Sequence, residues 1–318
     1  MMSGAERNPA RPYESTRMQQ KISDSEMRFL ATIAEHRVLT VSQLAVLVNK
    51  SKLITRKQVS AIQDAGLIET APLFFGHARG RPERVISLDN RGVSTLKAAD
   101  MLPQGVAEDR AKSIEQRLLA HQLLVNWFRI KLAEIPRVIP SLTTDSLAPT
   151  SPFVPAWGDG RPILADRVRP DPRLEKTIDF MPDGVCCIKD VDRRKSLLFF
   201  LEVDMGSEAI ASRSRPESSV RHKITTYQTY FHGSGYKRFG QRWECDFNGF
   251  RLLIVTTSAG RLEALCRLAR ETPPSDFVWL TDQDRLLGEG LSARIWARGG
   301  RQEAALKSIL GSATVPSD

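Results

Sequence analysis

Three carboxylates lie close to the ends of two predicted strands in the second half of the chain. Asp183 precedes the apolar run 185–189, and Glu202 and Asp204 end the apolar run that begins at residue 196. Runs joined by a short polar turn pair antiparallel, and because side chains alternate, Glu202 and Asp204 share one face. If Asp183 faces the same way, three carboxylates converge and raise each other's pKa unless a cation lies between them. The spacing therefore predicts a divalent metal site of Asp183, Glu202 and Asp204, of the kind that holds Mg²⁺.

A lysine on the next predicted helix, 216–231, completes the candidate catalytic set of Asp183, Glu202, Asp204 and Lys223. Lys223 lies one turn before Tyr227, and its ammonium could neutralise the carboxylates. The alternative is an acidic cluster on the surface, with Lys223 as a solvated partner. Spacing alone leaves both interpretations open.

A second set of residues indicates contact with nucleic acid. A helix predicted from Leu53 to Ala65 begins in a basic run with no acidic residue between Lys50 and Gln63, and a Gly- and Arg-rich turn occupies 76–84. Recognition helices place their first residues in the major groove, and the arginines of a wing contact phosphate or the adjacent minor groove. The alternatives are a solvated basic face or a module that binds another protein. The candidate DNA contacts are Lys50, Lys52, Arg56, Lys57, Arg79, Arg81 and Arg84.

The elements around this basic helix predict its fold. Capping boxes that start at Ser23 and Thr40 open two earlier helices. Strands predicted at 67–69 and 84–88 flank the basic turn. Helix, helix, helix, strand, basic turn, strand is the order of a winged helix-turn-helix. A further helix to about Ala99 and a break at 101–105 predict a DNA-binding domain over residues 22–104.

Residues 105–318 are expected to form a mixed α/β domain. A helix predicted over 111–134, with Leu118 among its inward residues, comes first, and the segment 158–173 is expected to be exposed. Strands follow at 176–181, 185–189 and 196–203. The strand–helix–strand order at the end favours a sheet with helices on its faces. Its parts are predicted at 250–257, 260–270 and 277–281.

Composition limits the class of protein. The chain has 318 residues, of which 41% are hydrophobic and 26% charged, and this length allows two modest domains or one large one. No apolar run reaches the ~18–20 residues of a membrane helix. The net charge of +9 favours a polyanionic partner. Residues 1–21 have no apolar core of a signal peptide and are predicted to be a flexible basic tail. Four cysteines without CxxC spacing argue against a zinc knuckle. The adjacent pair Cys186 and Cys187 is predicted to be buried thiols rather than a disulfide, which indicates a cytoplasmic protein.

His121 lies on the helix predicted over 111–134, about a turn and a third before Asn126. Either the histidine lines the candidate site, or it packs among the leucines of the helix. The apolar neighbours favour the second interpretation.

The motifs together resemble known families. Asp183, Glu202-x-Asp204 and Lys223-x-x-x-Tyr227 are similar to the PD-(D/E)xK nuclease-like superfamily. The whole arrangement also resembles the replication-relaxation family of plasmids and other mobile elements, over about residues 23–290. The resemblance implies DNA binding linked to replication, relaxation or mobilisation of such an element, or to its transcriptional control. The matching segments are 80–88, 91–92, 121–126, 182–184, 200–204, 223–227, 255–257 with Arg261, and 277–281.

The sequence departs from the nuclease pattern at one position. Asp204 stands where the superfamily has a catalytic lysine, which orients the attacking water and stabilises negative charge. An aspartate binds metal but does neither, and Lys223 is the candidate replacement. The first hypothesis, which the sequence favours, is a noncatalytic protein that binds double-stranded DNA without a cofactor. The second is a DNA endonuclease that depends on Mg²⁺ or Mn²⁺.

Both hypotheses share the same expected partners. These are double-stranded DNA and replication or relaxosome proteins, without a membrane. Because such domains commonly bind DNA with two-fold symmetry, a second copy of the chain, forming a homodimer, is a further candidate partner.

Overall fold

The computed structural model describes residues 22–73, 83–103, 106, 114–157, 160–170, 173, 177–212, 214, 216–302 and 305–311. The predicted tail 1–21 and the part of the basic turn that carries Arg79 and Arg81 lie outside these ranges, as do most of residues 104–113. Within the described ranges, no helix combines the length and the apolar character needed to cross a membrane.

The described residues form a mixed α+β fold. The helices are α1 (Asp24–His36), α2 (Val41–Leu47), α3 (Lys52–Asp64), α4 (Asn90–Ala98), α5 (Gln116–Val138), α6 (Val220–His232), α7 (Phe239–Trp243), α8 (Ala259–Glu271) and α9 (Gln283–Glu289). The strands are β1 (Leu39–Thr40), β2 (Ile68–Pro72), β3 (Arg84–Leu88), β4 (Leu142–Leu147), β5 (Asp166–Val168), β6 (Ile178–Phe180), β7 (Gly184–Asp190), β8 (Lys195–Asp204), β9 (Arg251–Thr256), β10 (Val278–Asp282) and β11 (Ala297–Arg298).

The first four helices accompany a three-stranded antiparallel sheet in the order β1-β3-β2. Ser23, Thr40 and Ser51 each accept a hydrogen bond from the backbone N–H three residues on, which satisfies donors that a helix start leaves free. The predicted starts of α1 and α2 are therefore confirmed. Gly66 has a φ of +69° where the chain leaves α3. The strand β1 was not predicted, because two residues are too few to show alternation.

The remaining chain surrounds a six-stranded mixed sheet in the order β11-β10-β9-β8-β7-β4. Its central strands β8, β9 and β10 run parallel, and the other neighbours pair antiparallel. One face packs against α6 and α8, and the other against α5 and α9. Side chains of β8 alternate between these faces, with Phe200 towards α6 and Phe199 towards α5. The β7–β8 pairing and the strand–helix–strand ending are as predicted.

The segment 160–180 differs from its prediction. β5 and β6 pair with each other in a separate two-stranded sheet, so the strand predicted at 176–181 does not join the main sheet. Leu164 and Val168 lie in the stretch expected to be exposed, yet they are buried in the core beside α6. The hydroxyl of Tyr230 donates to Asp166 at 2.7 Å and anchors β5 to α6. Strands of three residues carry too little alternation to be recognised in a polar segment.

The long helix α5 holds the two parts of the chain together. The side chain of Asn126 donates to the backbone carbonyls of His36 and Val38, at 3.2 and 2.6 Å. The amide of Gln43 donates to the carbonyl of Leu123 at 2.7 Å. Both side chains are buried, so these bonds satisfy polar groups that have no access to water. The position of α1 and α2 relative to the main sheet is thus fixed by directional contacts.

Replacing Gly92 of α4 with alanine is expected to lower the free energy of unfolding by about 1–3 kcal/mol. A Cβ atom there would lie 2.1 Å from the backbone carbonyl oxygen of Leu67, so the backbone must move. The matched control is Gly288→Ala in α9, where a Cβ meets nothing within 4 Å. Because alanine has a better helix propensity than glycine, this control should not lower the free energy of unfolding. Urea unfolding measures both, and equal stabilities would contradict the packing of α4 on Leu67.

Candidate functional site

Asp183 lies where β7 separates from β8. Gly184, the first residue of β7, pairs with Leu201, and the N–H of Asp183 donates to the carbonyl of Leu201 at 3.0 Å. Leu201 is the last residue of β8 that pairs with β7. Two residues further along β8, the backbone N–H of Val203 donates a hydrogen bond to the carboxylate of Asp183 at 2.8 Å. The bond places the Asp183 carboxylate beside the strand that carries Glu202 and Asp204.

Glu202 is buried, with its two oxygens bound to two residues of α6. The hydroxyl of Tyr227 donates to Oε1 at 2.7 Å, and Nζ of Lys223 lies 3.2 Å from Oε2. Burial, reinforced by the negative charge of Asp183, raises the pKa of Glu202 to about 7. The one-turn spacing of Lys223 and Tyr227 brings both side chains to the Glu202 carboxyl group. The sequence had left the position of Lys223 open and had not predicted the contact of Tyr227.

Lys223 also contacts Glu208, whose Oε1 lies 2.9 Å from Nζ. Burial by itself lowers the pKa of this ammonium, but the charges of Glu202 and Glu208 outweigh it and the pKa is raised. Lys223 is therefore a cation held between two carboxylates. Glu208 was not among the residues singled out from the sequence, since it lies in a polar segment without periodicity.

His121 reaches the site from α5, against the interpretation that the sequence favoured. Its Nε2 lies 3.1 Å from Oδ2 of Asp183, and its ring is partly exposed. Burial by itself lowers the pKa of His121, but the hydrogen bond and charge of Asp183 outweigh it, so the pKa is raised. Leu118, predicted to face inward, is 48% exposed instead, whereas its neighbours Leu119 and Leu123 are buried, so Leu118 lies outside the buried face of α5.

Asp204 has a different cation from Glu202. Arg261 in the first turn of α8 holds it with two bonds, Nε to Oδ2 at 2.6 Å and Nη2 to Oδ1 at 2.9 Å. The guanidinium also donates to the carbonyl of Glu208 at 2.7 Å, and the hydroxyl of Thr256 donates to the backbone carbonyl of Asp204 at 3.1 Å. Both side chains are mostly buried, with 6% of Asp204 and 15% of Arg261 exposed. Arg261 was noticed only as part of a family motif, and its pairing was not predicted.

The residues present do not fit the predicted three-carboxylate metal site. Each oxygen of Glu202 and of Asp204 already accepts a bond from Lys223, Tyr227 or Arg261. Among the residues that the structure describes, no group of three or more His, Cys, Asp or Glu side chains is arranged to hold a metal ion. The space beside Glu202, Asp204 and Lys223 is about 10 Å³, which is at the lower limit for one water molecule. Two of the three predicted ligands, Glu202 and Asp204, are thus already paired with the protein cations Lys223 and Arg261.

The basic helix α3 presents the other candidate residues to solvent. Lys50, Lys52, Arg56 and Lys57 are exposed, whereas Thr55, Val59 and Ile62 are buried against the core. No carboxylate of the described chain lies within ion-pair distance of these four cations, and Lys50 donates to the amide oxygen of Gln58 at 3.2 Å. Arg84 of β3 is also exposed and donates to the carbonyl of Thr70 at 3.2 Å. Arg79 and Arg81 lie outside the described residues.

Two apolar side chains lie among the basic residues of α3. Leu53 is 64% exposed and Ile54 is 49% exposed. The predicted start of the helix at Leu53 left their orientation open. Together with the exposed Lys52 and Arg56, they give the first turn of α3 a surface that is both basic and apolar.

Replacing Glu202 with glutamine is expected to flatten the pH dependence of stability. Because the folded pKa of about 7 exceeds the ordinary value of 4.5, the native state keeps a proton that the unfolded chain has lost. This contribution is complete below pH 4.5 and is lost as the pH rises through 7. The wild type should lose on the order of 2 kcal/mol relative to Glu202→Gln across that window. Urea unfolding as a function of pH measures it.

The matched control for this prediction is Glu271→Gln. Glu271 is an exposed carboxylate that pairs with Arg221, so its loss should leave the slope unchanged. Parallel pH profiles of the wild type and Glu202→Gln would contradict the burial of Glu202 as a titrating group.

The described residues thus define a mixed α+β protein with an exposed basic helix and a buried acid–base cluster at the end of its central strand. The chain belongs to the replication-relaxation family, whose pattern it matches over residues 30–240. Comparisons with curated proteins and with solved structures found no significant match.

Proposed function

We propose that this member of the replication-relaxation family binds double-stranded DNA through α3. The observation that carries the proposal is the exposed face of α3, where Lys52, Arg56 and Lys57 have no carboxylate partner in the described part of the chain. The order α1-β1-α2-α3-β2-β3, with the sheet order β1-β3-β2, is typical of a winged helix. In that fold the third helix enters the major groove and the turn between the last two strands is the wing. Arg79, Arg81 and Arg84 are then the wing residues.

The first turn of α3 has the chemistry for both kinds of DNA contact. Its N-terminus carries a partial positive charge from the helix dipole, which adds to the lysines in attracting phosphate. Leu53 and Ile54 supply apolar surface of the kind that contacts thymine methyl groups in the major groove. Arg56 is the residue type that binds guanine edges with two bonds. This combination favours a DNA reader over a merely solvated basic face.

The proposed division of labour places DNA recognition in residues 22–104 and a nuclease-like scaffold in residues 105–318. Contacts of α5 with Gln43, His36 and Val38 support a fixed arrangement of the two domains. Replication or relaxosome proteins and a second copy of the chain are the proposed protein partners. The family role in replication and relaxation of mobile-element DNA is the context for this binding.

We propose further that the nuclease-like domain does not cleave DNA. The endonuclease alternative draws support from Asp183, Glu202 and Lys223, which lie together as that chemistry requires. Against it stand the bonds that occupy Glu202 and the bidentate ion pair that holds Asp204. A scaffold stabilised by protein cations in place of a metal ion accounts for both observations.

Fluorescence anisotropy with a labelled duplex of about three helical turns tests the DNA-binding proposal. We expect saturable binding whose logarithmic affinity falls linearly with the logarithm of salt between about 50 and 200 mM. Absence of binding at the lowest salt would reject the proposal and leave α3 as a surface for a protein partner.

A further inference from the structure

A basic cleft lies at the end of the main sheet opposite to the carboxylates. Glu202 and Asp204 end the parallel strand β8, whereas the cleft is lined by the first residues of β8, β9 and β10, including Lys195, Arg251 and Trp279. Two adjoining cavities of about 640 and 370 Å³ form it, and they share Arg251, Trp279 and Arg298. The cleft therefore belongs to neither the acid–base cluster nor the α3 surface.

The lining of the cleft carries an excess of positive charge. Of its two carboxylates, Asp276 pairs with Arg298 at 3.3 Å and with Arg301 at 2.5 Å, and the other is Asp246. The remaining five cations have no carboxylate within ion-pair distance among the described residues. These cations are Arg194, Lys195, Arg251, Arg294 and Lys307. Like charges that share a cleft repel one another and concentrate a positive potential there, which an anion would relieve.

Arg251 is held at the centre of the cleft by its surroundings. Its guanidinium lies 4.5 Å above the ring of Trp279 and donates to the carbonyl of Ile309. Trp279 itself is 4% exposed, so its ring is covered and presents no face on which a base could stack. The arrangement offers positioned cations without a base pocket, which suits the phosphates of a polynucleotide rather than its bases.

We propose that this cleft is a second, sequence-independent binding site for the phosphate backbone of DNA. The proposal rests on the proposed function, because it extends the contact with DNA from α3 to the nuclease-like domain. Phosphate contacts position a protein on the duplex without reading sequence. The cleft adds affinity and salt dependence, whereas α3 supplies preference among sequences.

The test removes two exposed cations of the cleft, in the variant Arg294→Gln/Lys307→Gln. The matched control removes two exposed basic residues that line neither cavity, in Lys237→Gln/Arg267→Gln. Because the cleft variant neutralises two fewer phosphates, the salt slope should fall by about 1.8 and the affinity by about tenfold at about 0.15 M salt. The weakening should be equal for unrelated duplex sequences, and the control should bind as the wild type does. Equal thermal midpoints of all three proteins show that folding is intact.

Two results separate the failure of this inference from the failure of the proposed function. If the wild type binds duplex DNA and the cleft variant matches it in affinity and slope, the cleft is not a DNA site and only this inference fails. If the wild type binds no duplex, both fail. Calorimetric titration with ATP and with pyrophosphate tests whether the cleft binds the phosphates of a mononucleotide instead of those of the DNA backbone. Saturable nucleotide binding that the cleft variant loses, with unchanged DNA affinity, would assign the cleft to a mononucleotide and overturn the inference.

Discussion

Replacing Arg56 and Lys57 together with glutamine is expected to weaken duplex DNA binding by about tenfold or more at about 0.15 M salt. Both side chains are exposed on α3, and the helix core of Thr55, Val59 and Ile62 does not depend on them. Each phosphate that the variant no longer neutralises should lower the salt slope by about 0.9. Anisotropy titrations at several salt concentrations measure both quantities on the same duplex.

The design of this experiment separates α3 from charge in general. Lys237→Gln/Arg267→Gln removes the same net charge at exposed positions elsewhere and should leave affinity and slope close to the wild type. If Arg56 contacts a base edge, the weakening in the α3 variant should also differ between duplexes by about 1–3 kcal/mol per misread base pair. Unchanged affinity and slope in the α3 variant would reject α3 as the recognition helix.

The second large effect is expected at Arg261, where Arg261→Leu should lower the free energy of unfolding by about 3–5 kcal/mol. The substitution removes both bonds to Asp204 and leaves that carboxylate buried without a cation. Thr256 and the N–H of Gly206 are the donors that remain near it. Chemical denaturation of the two proteins measures the difference.

A double variant shows whether the loss of stability in Arg261→Leu comes from the unpaired charge of Asp204. Asp204→Asn/Arg261→Leu removes the carboxylate charge together with its partner, so it should be more stable than Arg261→Leu alone. Arg267→Leu, on the same helix but in an exposed pair with Glu263, is the matched control and should cost less than about 1 kcal/mol. A cost of that small size for Arg261→Leu would contradict a buried ion pair at Asp204.

The N-terminal elements could be predicted because local chemistry determines them. Two capping boxes, at Ser23 and Thr40, and a basic run before Leu53 are visible in the sequence. They lie at the starts of α1, α2 and α3, respectively. Helix starts depend on side chains within three residues, so no tertiary information is needed. The strands β7, β8, β9 and β10 were recognisable for a similar reason, since each is a short apolar run.

The sequence singled out residues that the fold brings close together, but it predicted few of their contacts. Alternation along β8 predicted that Glu202 and Asp204 share one face, whereas spacing left open whether Lys223 reaches them or is a solvated partner. The partner of Asp204 comes from α8, 57 positions away, and no local pattern identifies Arg261 as that partner. For His121 the leucine-rich neighbours favoured the wrong environment, because the ring reaches Asp183 across the end of the sheet. Long-range pairing of this kind depends on how the strands and helices pack.

One experiment tests the central claim, DNA binding without cleavage, most directly. Purified protein is incubated with supercoiled plasmid, with and without Mg²⁺ or Mn²⁺, beside Glu202→Ala and the α3 variant. We predict a mobility shift that needs α3, does not need metal, and leaves the plasmid supercoiled. Nicking or linearisation that requires both the metal ion and Glu202 would contradict the account and make the protein a nuclease.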